Sequence, residues 1–158
     1  MLILLASPVS LYAQSGAGQG AFTFTLNGYA VEGKLLDAVI RGDGSVRLTM
    51  RVQDTIQTTV TDVPISGSGE WHGTANVTTL SGTIENVYGS ARVCIFFFFC
   101  GNAYYVGQGT WTGTLSGSQG TGTFQGTITF TSSPIPQIPV NQQIPISGTW
   151  NSNFQLSS

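Results

Sequence analysis

With 158 residues, the chain has the length of one domain with a core of its own. Charged residues make up 8 % of it, against about 25 % in ordinary globular domains. The net charge is -2, so there is no basic face and nucleic acid is excluded as a partner class. Aromatic residues at 11 % exclude a disordered chain, which is typically rich in charge and poor in large apolar groups.

The first element is Met1 to Ala13, a short apolar run that ends on a small residue before Gln14-Ser15-Gly16. It has the form of a signal-peptide h-region and cleavage site, with no basic segment ahead of it. It is shorter than the ~20 apolar residues of a transmembrane helix. Residues 1–13 are therefore expected to be a signal peptide, which implies a secreted or cell-surface location, and residues 14–158 a single β domain. No other segment has the makings of a membrane-spanning helix.

From residue 21 onward the apolar residues recur with period two. Phe22, Phe24 and Leu26 share one face, as do Val46, Leu48, Met50 and Val52, and Phe124, Ile128 and Phe130. Ile144, Ile146, Trp150, Phe154 and Leu156 form the last such series, with Thr, Arg, Gln and Asn on the opposite faces. Half-buried antiparallel strands have this pattern. The expected fold is all-β, a single antiparallel β-sandwich or barrel of about nine to eleven strands.

Turns are expected at Asn27-Gly28, Asp43-Gly44, Gly89-Ser90, Gly101-Asn102 and Gly117-Ser118, with Asp54 as a further turn residue. The prolines of residues 133–145 cannot donate to a ladder. That stretch reads as an extended, Pro-rich connector that delivers a last strand, residues 146 to 156, from some distance.

Gly69-Glu70-Trp71-His72-Gly73, Gly109-Thr110-Trp111-Thr112-Gly113 and Gly148-Thr149-Trp150 form a weak repeat. Its spacing resembles a propeller blade, but three units fall short of the smallest usual ring. The glycines two positions from each tryptophan leave room on the same face for an indole from a neighbouring strand, or for a ligand. Core packing is the simpler reading; Trp71, Trp111 and Trp150 are the pocket candidates under the other. The Gly-Thr-Trp triplet is also similar to a short motif of calycin-type barrels such as lipocalins and avidin. As Gly-x-Trp it recurs three times here, twice as Gly-Thr-Trp, instead of marking one strand, and no family is assigned on it.

Cys94-Ile95-Phe96-Phe97-Phe98-Phe99-Cys100 poses a geometric choice. Run as one strand, it holds the cysteines roughly 20 Å apart, whereas a disulfide needs their Cα atoms within about 7 Å. If they are bonded, Tyr88–Val93 pairs with Gly101–Val106 around a loop of Ile95, Phe96, Phe97, Phe98 and Phe99. That loop then becomes an apolar tip suited to contact with another molecule. If they are free, the run is a doubly buried strand. The stapled hairpin is the favoured reading.

Catalytic chemistry is sparse. His72 is the single histidine, and its parity puts it on the solvent face, which leaves neither a triad nor a multi-histidine metal site. No metal site and no cofactor are expected. Glu70 and Glu85 are the one pair of carboxylates considered for glycosidase-like work, but nothing in the sequence brings them together. Arg41-Gly42-Asp43 is formally an integrin-type tripeptide, though its aspartate is already explained by the turn. Asn76-Val77-Thr78 is a glycosylation sequon. Threonine rows such as Thr110-Thr112-Thr114 suit ice or polysaccharide, and equally an ordinary exposed strand.

The functional expectation is a non-enzymatic, secreted structural or adhesive β-domain. It would be a subunit of a surface or filament assembly that self-associates, with strand exchange by residues 20 to 32 or by the final strand as one route. A secreted barrel or sandwich binding a sugar or an apolar ligand is the alternative, with polysaccharide or lipid as possible surface contacts. A glycoside hydrolase is the remote third.

Overall fold

The computed structural model describes residues 18–59, 61–95 and 99–157. The expected signal peptide, residues 1–13, lies outside the described residues. Nine strands are described: β1 (Gly20–Leu26), β2 (Tyr29–Arg41), β3 (Ser45–Gln57), β4 (Asp62–Asn76), β5 (Thr79–Ile95), β6 (Phe99–Ser116), β7 (Gln119–Ser132), β8 (Gln143–Asn153) and β9 (Gln155–Ser157). Each of the first seven is antiparallel to the next. β1 also pairs with β8, Phe22 opposite Trp150, so the wall closes as an eight-stranded up-and-down barrel. Closure pairs Gly20–Phe24 of β1 with Gly148–Ser152 of β8, so along that seam neither strand offers a free edge.

The turns follow local chemistry. Asn27 and Gly28 both have positive φ (51° and 84°), as a two-residue hairpin turn requires. At the β2–β3 turn, Asp43 Oδ1 accepts hydrogen bonds from the Ser45 backbone N–H (2.9 Å) and hydroxyl (2.7 Å). These bonds, chiefly the backbone one, hold the Asp43 carboxyl below its usual range, and Arg41 adds to the effect.

After β8 the chain turns across one end of the barrel. Phe154 is buried there against Trp150, and β9 then runs parallel to β2 with Gln155 opposite Val39.

Several sequence expectations are corrected. Gly89-Ser90 and Gly101-Asn102 are not turns; they lie inside β5 and β6. Asp54 is not a turn residue either. It pairs with Ile65 within β3, and its carboxylate accepts from the backbone N–H groups of Glu32 and Thr55. The connector spans residues 133–142, because β8 already begins at Gln143 and includes Pro145 opposite Thr127. Pro145 is tolerated because β1 pairs with β8 only between Gly148 and Ser152, which leaves the other side of Pro145 without a partner strand. The connector brings no distant strand: β8 lies directly beside β7, and the Asn141 N–H bonds the Phe130 carbonyl. The expected last strand is broken in two: β8 ends at Asn153, β9 begins at Gln155, and Leu156 in β9 faces solvent.

The interior shows why tryptophan and glycine recur together. Trp111 on β6 leans across β5 onto Gly73 of β4, and its Nε1 donates to the His72 carbonyl at 3.2 Å. Trp150 on β8 does the same two strands back, lying on Gly113 and donating to the Thr112 carbonyl at 3.0 Å. Tyr105 repeats the arrangement over Gly89 and Gly67, its hydroxyl donating to the Ser66 carbonyl at 2.9 Å. Thus each Trp-x-Gly unit provides the bed for the next indole. Trp71 is first in the series and donates instead to Met50 Sδ. The three indoles pack on one another with centroids 5.5–6.1 Å apart.

Candidate functional site

The barrel interior is occupied. Trp71, Trp111 and Trp150 are 0–2 % exposed and fill its centre. A cavity of about 40 Å³ lies among Phe22, Phe24, Met50, Val52, Ile84 and Ile128. That holds at most a few water-sized groups, whereas drug-sized ligands occupy roughly 300–1,000 Å³. Apolar side chains point inward, while from Gln108 to Asn153 the outward positions of β6, β7 and β8 are Gln, Thr, Ser and Asn apart from Pro145. This polarity is the inverse of a membrane-spanning barrel, which faces lipid with apolar groups. No helix among the described residues is long and apolar enough to cross a membrane.

Tyr105 gives the interior a measurable pH response. Burial pushes its hydroxyl up from 10.0 to about 12. The unfolded chain therefore ionises first. The stability held by neutral Tyr105 is complete below pH ~10 and is lost as pH rises towards about 12, by on the order of 2–3 kcal/mol. Melting curves between pH ~9 and ~12 should show this loss in the native chain and a smaller one in Tyr105→Phe.

The outer wall is electrically divided. All twelve charged side chains (5 Lys and Arg, 7 Asp and Glu) fall between Glu32 and Arg92, on β2 to β5 and their turns. The rest of the described wall carries mostly hydroxyls and amides, with Phe99, Val106 and Pro145 as apolar exceptions. One row, Thr23, Thr149, Thr123, Thr112, Ser81 and Thr74, crosses six neighbouring strands. Chemistry that needs charge is therefore confined to one half of the barrel.

On that half the register brings together what sequence alone did not. Glu70 and Glu85 are direct cross-strand partners on the outer face. Each carboxylate is held along its own strand: Glu70 Oε1 contacts His72 Nε2 at 2.8 Å, and Glu85 Oε2 accepts from the Thr83 hydroxyl at 2.6 Å. His72 is half-buried beside Arg47. Near Glu70, two strand irregularities put Asp37 and Asn86 at positive φ (52° and 54°) on the rim of a groove of about 470 Å³. Among the described residues, no group of three or more His, Cys, Asp or Glu is arranged to hold a metal ion.

A second groove, of about 660 Å³, adjoins the first through Ser68 and Tyr88. Tyr88 and Tyr104 stand on it, 63 % and 51 % exposed, with Arg51, Gln53 and Ser90 along its course. Sequence reasoning treated Tyr88 and Tyr104 only as arms of a hairpin. The signal was their parity: both are out of step with the inward Ala91, Ala103 and Tyr105, so two aromatic rings had to face water.

Cys94 and Cys100 are disulfide-bonded, with Cα atoms 4.0 Å apart, which rules out the single extended strand. Tyr88 pairs with Val106 and Val93 with Gly101, as the stapled hairpin requires. The pairing continues to Ile95 and Phe99, so the loop is shorter than expected. β4 pairs with β5 only as far as Ala91, and β7 with β6 only as far as Tyr104. Beyond those rungs the β5–β6 hairpin is a two-stranded ribbon. Phe99 near its end is 71 % exposed. Phe96, Phe97 and Phe98, and the side chain of Ile95, lie outside what is described. Asn76 ends β4 with its side chain exposed, so the sequon is accessible.

Compared with known proteins, the chain matches no family model, no curated protein and no solved structure.

Proposed function

We propose that the protein is a secreted adhesive or structural β-barrel, a subunit of an extracellular assembly, that self-associates through the stapled β5–β6 ribbon. The observation that carries this reading is the ribbon itself. A two-stranded hairpin is marginally stable in water on its own; here the inner face packs through Val93 and Ala103 on the core and Gly101 lies against Pro134, while a disulfide holds an end that exposes Phe99. Large exposed apolar groups at such a position mark an interface. The disulfide also fits an oxidising compartment, and the polar outer wall fits a protein surrounded by water. Because β1 and β8 are both seated in their own barrel, lateral contact between ribbon tips is favoured over strand exchange.

Sedimentation of the full chain, with negative-stain microscopy at high concentration, tests the proposal. The native protein is expected to assemble, and the variant with Phe96, Phe97, Phe98 and Phe99 all replaced by Ser to remain monomeric with an unchanged melting temperature. Cys94→Ser with Cys100→Ser should weaken assembly and cost about 2 kcal/mol of stability, the loop-closure value for so short a span. Strictly monomeric native protein under all these conditions would overturn the reading.

A further inference from the structure

The groove of Tyr88 and Tyr104 has a chemistry distinct from that of the ribbon tip. Two tyrosines occupy diagonal outward positions on neighbouring strands: Tyr88 faces Val106 across the β5–β6 ladder, and Tyr104 faces Ser90, one outward step away. Both rings are more than half exposed, on a wall whose other outward groups are mostly hydroxyls and amides. Tyrosine offers an apolar face together with a polar edge. Around the rings, Ser66 and Ser90 face each other with their hydroxyls 3.4 Å apart, and Gln53 adds an amide. Apolar platforms bordered by hydroxyl and amide groups match a pyranose, which has an apolar C–H face and an equatorial rim of hydroxyls.

Charge narrows the ligand further. Arg51 lines the groove, and Lys34 lies directly opposite it on β2. Like charges placed opposite each other on neighbouring strands repel. In a chain with only five cations, this juxtaposition stands out. Neither side chain makes a hydrogen bond or an ion pair among the described residues. No carboxylate lines the groove itself, since Glu70 and Asp37 belong to the neighbouring one. A planar guanidinium in this setting is suited to a carboxylate or sulfate oxygen pair.

We propose that this groove binds an acidic oligosaccharide, with sugar rings stacked on Tyr88 and Tyr104 and an anionic substituent held by Arg51 and Lys34. The site is separate from the ribbon tip and does not depend on self-association.

Calorimetric titration of the full-length protein with oligogalacturonate, a heparin-derived oligosaccharide and neutral cello-oligosaccharide tests the proposal. At least one acidic probe should bind more tightly than the neutral one, and the difference should shrink with added salt. Tyr88→Ala and Tyr104→Ala should each weaken binding about tenfold or more, whereas Tyr88→Phe, which keeps the ring face, should retain most of it. Arg51→Gln should abolish the preference for the acidic probe while leaving the melting temperature unchanged. Binding of one acidic probe and not the other would identify the anion as carboxylate or sulfate. The proposal is overturned if no probe binds at millimolar concentration, if neutral and acidic probes bind equally, or if both tyrosine-to-alanine variants bind like the native protein. The ribbon variant with four serines should bind saccharide normally, which separates failure here from failure of self-association.

Discussion

Trp111→Ala is expected to cost about 3–5 kcal/mol, the range for removing a large buried aromatic side chain. Single domains are stable by only about 5–15 kcal/mol, so this one change consumes much of the margin. Trp111 is the middle ring of the series, with Trp71 and Trp150 within 5.8 Å and 5.5 Å of its centroid. Its removal leaves a cavity between two rings each held by a hydrogen bond of its own, Trp71 to Met50 Sδ and Trp150 to the Thr112 carbonyl, so neither can close it by rotation. Trp111→Phe should cost less, because a ring remains, but the bond to the His72 carbonyl is lost. Urea unfolding measures both; a loss below about 1 kcal/mol for the alanine variant would mean that the indoles do not form the core.

The second large effect is expected from adding atoms. A Cβ on Gly113 would stand 2.5 Å from Trp150 Cζ2 and 2.5 Å from the Thr121 carbonyl oxygen. Neither neighbour is free to withdraw, because the indole is held by its own hydrogen bond and the carbonyl belongs to the paired strand. Gly113→Ala should therefore cost about 1–3 kcal/mol through overpacking, and Gly113→Val more. Gly117, in the following turn, is the internal control. Nothing lies within 4 Å of a Cβ built there, and its φ is +63°, so Gly117→Ala should lose only about 1 kcal/mol for the left-handed backbone. If the two alanine variants melt together, the glycine beds have no packing role.

How much of this was legible in the sequence differs from residue to residue. The period-two alternation around Phe22, Leu48, Phe124 and Ile146 identified strands because a closed barrel has one dry and one wet face along every strand. The Trp-x-Gly spacing pointed to packing between neighbouring strands, and the structure adds that Trp111 and Trp150 each reach two strands back. What misled was glycine with two meanings. Gly89 and Gly101 resemble turn signals, yet Gly89 lies inside a strand as the bed for Tyr105, and Gly101 lies against Pro134. Pro145 likewise reads as a strand breaker until the missing partner beside it is seen. The juxtapositions of Glu70 with Glu85 and of Lys34 with Arg51 depend on register, and register here includes bulges in β2, β5 and around Gly69 that no local pattern announces. Tyr88 and Tyr104 were readable from parity alone, had the hairpin been taken as a surface as well as a staple.

The proposals above place function on the outside of a barrel whose inside is full. Tryptophan fluorescence tests that directly, since all three indoles lie in the centre. Native protein should emit at the short wavelengths of buried indole, resist acrylamide quenching, and show no change in emission when saturated with any saccharide or lipid probe. Emission and quenching close to those of the unfolded chain, or a shift on ligand binding that reports entry between the rings, would contradict the filled interior and return the binding site to the barrel's centre.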